Sequence, residues 1–372
     1  MHRSMLKKLI ITGLIIVTIG AIVGISYVIK YSNYKEVEAI NLIEERVYGT
    51  LDYERYLNGV MKVGRDGASY IDRKGNIVWA QAFLINNPTV RIREDKVVIV
   101  DKKGHQVFVF NEKGKVSDFK VPYTIIDISI GKNSVVAIAM EDKLYNYVHL
   151  YDSLGGFIAE SKTRMEIDGL PLSIAISQDG SKLATSYLHT DGTKINSRIT
   201  FYRFDDIGKN HIDNFLGSFT VEDRLVPQIE FINNNTLVAF SDNKVILYDA
   251  YYIPAIKEEI PVEEKIAAVF VKGEYIGVVN DVPSETQTYK VHIYDSEGRL
   301  SGEVNTNLEF KEVLVNEKEV IIHNGYRWEI YNFRGKLKYE GEFQEEVKRI
   351  LPIKKGKHII VSESKVEEIT LK

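Results

Sequence analysis

Cysteine is absent from the 372-residue sequence. A disulfide framework, a zinc site with thiolate ligands, an iron–sulfur cluster and a cysteine nucleophile are therefore excluded. The sequence also lacks a phosphate-binding loop, a dinucleotide-binding glycine pattern, an HExxH helix, an EF-hand loop and a G-x-S-x-G elbow. Its eight histidines are scattered along the chain, without the convergence that a metal site needs. We therefore predict a protein that uses no cofactor and no metal.

Acidic residues are missing from the first 30 positions, which carry Arg3, Lys7, Lys8 and Lys30. The whole chain has 48 basic and 52 acidic residues, so residues 31–372 contain 44 basic and 52 acidic residues, a net charge of −8. Because an acidic body repels a phosphate backbone, no nucleic-acid partner is predicted. The hydrophobic fraction of 44% is ample for a large folded core.

Residues 9–29 form a continuous run without any charged residue. As a helix this run would be about 31 Å long, which matches the hydrocarbon core of a bilayer. A cleavable signal peptide has a shorter apolar stretch and a clear small-x-small cleavage site, so an uncleaved transmembrane signal anchor is favoured. Basic residues precede the run, and the positive-inside rule places residues 1–8 in the cytoplasm and the chain after Lys30 outside the cell.

After the anchor, residues 30–45 are predicted to form a polar linker and residues 46–372 a single β-rich domain. In this domain an apolar residue, Asp or Asn, two free positions and Gly form a recurring landmark. The Asp or Asn side chain can accept a backbone N–H two residues on, and glycine supplies the positive φ of a hairpin turn. Six copies carry the glycine and a seventh lacks it. The Asp and Asn residues are Asp72, Asn111, Asp152, Asp205, Asp249, Asp295 and Asn332.

The spacing between these landmarks predicts the fold. They lie 37 to 53 residues apart, and four-stranded propeller blades repeat at about 40 to 45 residues. Seven landmarks predict seven blades, and the strand-like segments after the last one predict an eighth blade that lacks one strand. We predict an all-β eight-bladed β-propeller whose last blade takes its fourth strand from residues 46–50. A seven-bladed ring is the alternative if residues 46–57 are not paired in this way.

Several segments resemble known propellers. Residues 174–184 resemble the strand–turn–strand signature of WD40-like and TolB-like propellers, and Asp-x-x-Gly-x-x-x-Trp at 72–79 is similar to the docking repeat of quinoprotein-like propellers. With its segments at 64–67, 148–153 and 171–187, the chain resembles over nearly its full length an uncharacterised family of membrane-anchored eight-bladed propellers from Gram-positive, clostridial-type bacteria. The resemblance implies a fold and a membrane location but no activity, so no functional residue is carried over from it.

The two faces of a propeller are expected to differ here. The turns between first and second strands and between third and fourth strands lie on one face, which we call the turn face. The remaining connections lie on the other, the loop face. Turns on the turn face are predicted to be short, whereas blades 4 and 6 carry long loops at 189–196 and 281–288 on the loop face. Long loops on a rigid scaffold often bind ligands, although exposed loops also tolerate insertions that have no function. The candidate binding residues are Tyr187, His189, Asp191, Lys194, Asn196, Glu285, Gln287 and Tyr289.

A closing strand at residues 46–50 would bring the linker in from the turn face, so that this face would point at the membrane. The sequence therefore favours a membrane-tethered extracytoplasmic propeller that binds or scaffolds a protein or cell-envelope polymer without catalysis. An extracytoplasmic hydrolase or lyase with an acidic site at the axis is the alternative, and a cytoplasm-facing sensor is a third. Three or more polar side chains converging on a water-filled axis would favour the enzyme. An apolar axis with an aromatic patch near Tyr187 and Tyr289 would favour the binding protein.

Overall fold

The computed structural model describes residues 33–44, 51–192, 194–283 and 288–372. In these residues the strands form eight four-stranded antiparallel sheets. The predicted all-β eight-bladed propeller is therefore confirmed, and the seven-bladed alternative is wrong. The predicted anchor at residues 9–29 lies outside the described residues. Within the part of the chain that is described, no helix has the length and apolar character to cross a membrane.

The strands are numbered in chain order. They are β1 (Val37–Glu44), β2 (Asp52–Tyr56), β3 (Gly59–Val63), β4 (Gly67–Ile71), β5 (Ile77–Ala82), β6 (Pro88–Arg93), β7 (Lys96–Asp101), β8 (Gln106–Asn111), β9 (Gly114–Lys120), β10 (Thr124–Ile130), β11 (Val136–Glu141), β12 (Tyr145–Tyr151), β13 (Phe157–Arg164), β14 (Leu170–Ile176), β15 (Lys182–Asp191), β16 (Lys194–Arg203), β17 (Phe215–Val221), β18 (Gln228–Phe231), β19 (Thr236–Phe240), β20 (Lys244–Asp249), β21 (Ala255–Pro261), β22 (Lys265–Lys272), β23 (Tyr275–Val282), β24 (Thr288–Tyr294), β25 (Leu300–Thr306), β26 (Glu312–Asn316), β27 (Glu319–His323), β28 (Arg327–Asn332), β29 (Leu337–Glu342), β30 (Val347–Lys354), β31 (Lys357–Ser362) and β32 (Lys365–Leu371). The short helical segments are α1 (Met165–Asp168) and the 3₁₀ turns Gly208–Asn210 and Ile212–Asn214.

Each blade has four strands, A to D, from the axis outward. Blade 1 contains β2 to β5, and each following blade takes the next four strands. Blade 8 contains β30, β31, β32 and, as its D strand, β1. The A strands of neighbouring blades contact one another around the axis, for example β10 with β14 and β14 with β18. The A strands therefore form the inner wall of the ring.

The ring closes through the antiparallel pair of β1 and β32, with Val37 opposite Leu371 and Glu44 opposite Lys365. The predicted joining of three C-terminal strands with one N-terminal strand is confirmed. The assignment of that N-terminal strand to residues 46–50 is wrong, because β1 lies inside the segment that was predicted as a polar linker. An outer strand exposes most of its side chains, as β1 does, so it needs little apolar character and resembles a linker in sequence.

The landmark turns join strands C and D and also fix one blade against the next. In blade 1, Asp72 accepts the backbone N–H groups of Lys74 and Asn76 at 2.8 and 2.9 Å. Gly75 has a φ of +83°, and a Cβ at this position would overlap the carbonyl oxygen of Leu42 in β1. Glycine is therefore required both by the turn and by the close approach of the preceding blade. The hairpin role predicted for the landmark is confirmed.

The core consists of apolar layers between blades. The B strands are buried on both faces, as in β7 and β11, because each blade is covered by two neighbours. Between blades 7 and 8 this layer includes His358, whose ring is fully buried and packs edge-on against Trp328 with 5.6 Å between ring centroids. Neither ring nitrogen of His358 has a hydrogen-bond partner in the described residues. Burial lowers the pKa of His358 to about 4, so the ring is neutral at pH 7.

Because its pKa is lower in the folded than in the unfolded state, His358 favours the folded state at pH above 6.5. This contribution is lost as the pH falls from 6.5 to about 4, and it corresponds to about 3 kcal/mol. We predict that His358→Phe reduces the fall in the free energy of unfolding between pH 7 and pH 4 by about this amount. Urea denaturation at the two pH values measures it. His211→Gln, at an exposed position, is the control, and an unchanged pH dependence in His358→Phe would contradict the prediction.

Candidate functional site at the propeller axis

The A strands enclose a cavity of about 710 Å³ on the propeller axis. Its lining comes from β6, β10, β14, β18 and β22, the inner strands of blades 2 to 6. Lys272 and Gly273 lie at the turn-face end of these strands, and Lys102 and Pro227 lie at the loop-face end. The cavity therefore extends along the axis. The polar residues of its wall are Arg91, Arg93, Lys102, Asp127, Ser129, Ser173, Gln228, Glu230 and Lys272.

Strand alternation explains how charged side chains reach the axis. Successive residues of a strand point to opposite sides, so Arg91 and Arg93 share one side of β6 and Ile92 takes the other. Ile92 packs against the apolar cluster between blades 1 and 2, while the two arginines line the cavity. The core thus lies between the blades and the charged groups lie at the axis.

Asp127 connects three blades at this wall. Arg91 Nη2 of blade 2 donates to Asp127 Oδ1 at 3.3 Å, and the backbone N–H of Ile174 in blade 4 donates to Asp127 Oδ2 at 3.2 Å. Burial raises the pKa of Asp127 although the Arg91 charge opposes the shift. The desolvation of this carboxylate is therefore only partly compensated by its partners.

Glu230 is the second carboxyl group of the cavity. Burial raises its pKa, and the nearby charges of Arg93, Arg91 and Lys272 act in the opposite direction. No described residue donates a hydrogen bond to this carboxylate. A carboxyl group that is buried, close to cations and without a direct donor is a typical feature of a binding or catalytic site.

The wall is more positive than the rest of the protein. It contains four basic residues and two acidic ones, a net charge of +2 when both carboxyl groups are ionised, whereas residues 31–372 carry −8. Arg93 and Lys272 form no ion pair in the described part of the chain, so their charges are not neutralised by a direct partner. A low-dielectric cleft that is lined mainly by charges of one sign concentrates ligands that carry the opposite charge.

Arg349 organises the opposite side of the axis. From β30 in blade 8 its guanidinium lies 3.0 Å from Asp52 in blade 1, 3.0 Å from Glu312 in blade 7, and 3.9 Å from Glu54. Burial and the Asp52 charge raise the pKa of Glu54, and Arg349 and Lys272 lower it. The charge of Lys272 therefore lowers the pKa of both Glu54 and Glu230, against the effect of burial.

Of the residues predicted from the loops, the two described tyrosines are buried, whereas Lys194 and Asn196 both contact Asp223. Tyr187 is 2% exposed and Tyr289 is 6% exposed, so the predicted aromatic patch does not lie on the surface. Lys194 is exposed and pairs with Asp223 at 3.3 Å. Asn196 accepts the Asp223 backbone N–H at 2.9 Å.

The long loop predicted at 189–196 is mostly a hairpin. In the backbone register of β15 and β16, the half-buried His189 lies opposite Asn196. Asp191, at the end of β15, lies opposite Lys194 at the start of β16. Backbone pairing therefore continues almost to the turn. Glu285 and Gln287 lie outside the described residues. Binding by these two connections stays a prediction.

The sequence offered an acidic axial site as an alternative but none of the residues of this cavity was predicted, although a signal for them was present. In β6 (PTVRIR), β10 (TIIDISI) and β18 (QIEF), apolar residues alternate with charged or polar ones. These strands occupy the first position of their blades, and alternate residues of a first strand face the axis. Polar side chains converge on the axis in the described residues, which is the observation that would favour the enzyme. The apolar axis that would favour the binding protein is not found in this cavity.

The Arg349 cluster supports a prediction about ring closure. Arg349→Met leaves three carboxylates without their shared cation, so we expect the free energy of unfolding to fall by about 1 to 2 kcal/mol. The cost is smaller than for a fully buried pair because solvent reaches these side chains. Arg327→Met is the matched control, since Arg327 pairs with Glu340 on the outer surface and should cost at most about 0.5 kcal/mol. Equal losses in the two variants, measured by urea denaturation, would contradict the role assigned to Arg349.

The comparisons with solved structures show the propeller fold. BamB from Moraxella catarrhalis is similar with 12% identity and a TM-score of 0.52 over 90% of this chain and 100% of that chain. Hsv2 from Kluyveromyces lactis is similar with 9% identity and a TM-score of 0.51 over 78% of this chain and 98% of that chain. At such identities the likeness concerns the fold alone. No curated protein matches the sequence.

The family comparison covers almost the whole propeller. The model of the family of unknown function DUF5711 matches residues 30–371, from just before β1 to the last residue of β32. The match thus includes both strands that close the ring. The chain belongs to the family of unknown function DUF5711.

Proposed function

We propose that this protein is a membrane-tethered extracytoplasmic propeller that binds an anionic ligand, rich in carboxylate or phosphate groups, in its axial cavity. The observation that supports this function most directly is the cationic wall formed by Arg91, Arg93, Lys102 and Lys272. The tether and the location outside the cytoplasm follow from the uncharged run at residues 9–29 and the basic residues before it.

The chemistry of the wall favours carboxylates and phosphates. A guanidinium group offers paired donors that match both kinds of anion, and a lysine adds a mobile point charge. Arg93 and Lys272 are both at the turn-face end of their strands and have no acidic partner within 4 Å in the described residues. A ligand that bridges them would supply the missing anions.

The size of the cavity favours a compact ligand or the end of a polymer. A volume of about 710 Å³ lies within the range of about 300 to 1,000 Å³ that is usual for small-molecule sites. Because the cavity extends along the axis, an anionic cell-envelope polymer could place one end in it. The protein would then hold this polymer near the membrane at a high local concentration.

The double variant Arg93→Gln/Lys272→Gln tests the proposed binding. Each lost charge-assisted hydrogen bond should cost about 1.4 kcal/mol, so we expect the affinity to fall by about a hundredfold. Titration calorimetry of the full-length protein in detergent, with citrate and with poly(glycerol phosphate) as probes, measures it. Lys209→Gln/Lys244→Gln removes two charges from exposed ion pairs outside the cavity and should bind like the wild type. A wild-type protein that binds neither probe, or an equal loss in the control, would contradict the proposal.

A second candidate function is the hydrolase or lyase with an acidic site at the axis. The observation that favours it is the raised pKa of Asp127 and Glu230, both in the cavity wall. A general acid must keep its proton close to neutral pH, and burial provides this. Glu230 is the stronger candidate because its carboxylate has no hydrogen-bond donor among the described residues.

Glu230→Gln separates the two functions. The substitution removes a negative charge from a cationic wall, so we expect tighter anion binding at pH 7.5 than in the wild type. Wild-type affinity should increase as the pH falls toward the raised pKa of Glu230, because protonation has the same effect. The variant should show a weaker pH dependence, since only Asp127 of the two carboxyl groups in the wall then remains to be protonated. If the protein is an enzyme, Glu230→Gln should also abolish product formation from a polyanionic glycan, whereas a binding protein gives no product in either form.

A further inference from the structure

The turn face carries a row of exposed apolar side chains on three consecutive blades. Ile212 is 88% exposed, Ile253 is 74% exposed and Leu154 is 71% exposed. They belong to the connections between strands C and D of blades 4, 5 and 3. We call this surface the apolar rim, and its members are Leu154, Phe157, Ile212, Tyr251, Tyr252 and Ile253.

The sequence of blades 4 and 5 departs from the landmark turn at this rim. In blade 4 the connection between β16 and β17 is long and contains two 3₁₀ turns. Ile212 is the first residue of the second turn. The prediction that turn-face connections are short is therefore wrong for this blade. In blade 5 the landmark lacks its glycine, and residues 251–253 are two tyrosines and an isoleucine.

These two connections are held together. Arg203 Nη1 donates to the carbonyl oxygen of Tyr251 at 2.7 Å, and the rings of Tyr251 and Tyr252 are 4.4 Å apart. Asp249 accepts the Tyr251 backbone N–H at 2.8 Å. The apolar side chains are therefore presented by an ordered surface, and contiguous exposed apolar surface of this kind is typical of a protein or membrane contact.

The N-terminal segment reaches the propeller on the same face. The backbone N–H of Tyr34 donates to Lys338 O at 3.0 Å, and that of Lys35 donates to Lys372 O at 2.7 Å. The Tyr34 hydroxyl donates to Glu319 at 3.0 Å. Lys338 is the second residue of strand D of blade 7, and Glu319 begins strand B of the same blade. Lys372 follows strand C of blade 8, so all three positions lie at the turn face.

The distance between the propeller and the membrane is limited by the length of chain between them. Only residues 30–32 separate the predicted span at 9–29 from the described chain, which begins at Asn33. An extended chain covers at most about 3.6 Å per residue, so with the predicted span the point where the chain enters the turn face would lie within about 15 Å of the bilayer surface. In a ring of eight blades, blade 4 lies opposite blade 8, where the chain enters.

We propose that the apolar rim inserts into the headgroup region of the bilayer that residues 9–29 cross. The propeller would then have two attachments, the anchor below blade 8 and the rim below blades 3 to 5. Apolar side chains stabilise such contacts by partial burial among the acyl chains, and tyrosine is favoured at this depth. This inference rests on the membrane tether of the proposed function.

Charge does not drive this insertion. Residues 203–214 contain two basic side chains, Arg203 and Lys209, and three acidic ones, Asp205, Asp206 and Asp213. Because this loop has no excess of positive charge, anionic lipids should add little attraction. Insertion should therefore occur in zwitterionic as well as anionic membranes and should not weaken at high salt.

The absence of cysteine makes a site-specific test direct. Three single-cysteine variants of the full-length chain, Ile212→Cys, Leu84→Cys and Ile16→Cys, are labelled with the environment-sensitive dye NBD and reconstituted in phosphatidylcholine vesicles. Leu84 is the matched control, since it is 87% exposed on the connection between blades 1 and 2, at the loop face. Ile16 lies in the predicted anchor. Emission wavelength and quenching by doxyl-labelled lipids are measured at low and high salt.

The three labels test the insertion of the apolar rim separately from the membrane tether on which it rests. We expect a blue shift and lipid quenching at positions 16 and 212 at both salt concentrations, and neither at position 84. Quenching at 16 with a water-like emission at 212 would overturn the insertion of the rim and leave the tether intact. A blue shift at 212 without lipid quenching would also overturn it, because a second copy or another protein would then cover the rim. An unquenched label at 16 would overturn the tether, and with it both proposals.

Discussion

The antiparallel pairing of β1 with β32 is the contact on which the rest of the architecture depends. Without β1, blade 8 would keep three strands and β32 would present an unpaired edge to solvent. Leu42 and Ile43 would also leave the apolar cluster between blades 8 and 1. The same pairing decides where the chain enters, since a strand antiparallel to β32 must begin at the turn face. Closure of the ring and entry of the chain at the turn face are therefore consequences of a single pairing.

Closure also creates the axial site. Inner strands that are arranged in a ring of eight blades leave an axis that apolar side chains do not fill, and residues facing it remain in contact with water. Charged groups can occupy these positions without a full desolvation cost, as Arg91 and Arg93 do on either side of the partly buried Ile92. The layers between blades provide stability, and the axis is available for binding. Substitutions in the axial wall can therefore change binding while the blades keep their core.

The two faces have different chemistry. On the loop face, β15 and β16 extend as a paired hairpin, and the tyrosines at the base of the two long connections are buried. On the turn face, the connections of blades 3 to 5 expose apolar side chains, and the chain arrives there through Tyr34. The features that distinguish this propeller are thus the apolar rim of blades 3 to 5 and a cationic axis.

The sequence by itself determined the seven landmark turns and favoured eight blades, with the last blade built from three C-terminal strands and one N-terminal strand; it left a seven-bladed ring open. Each landmark turn depends on residues within four positions, as when Asp72 accepts the N–H groups of Lys74 and Asn76, so local chemistry is enough to count the turns. Only the tertiary structure decided which segment closes the ring, that Tyr187 and Tyr289 are buried, and that Arg91, Asp127, Glu230 and Lys272 share one cavity. Those four residues come from four different blades. They meet only because the ring is closed, and ring closure depends on pairing between the two ends of the chain.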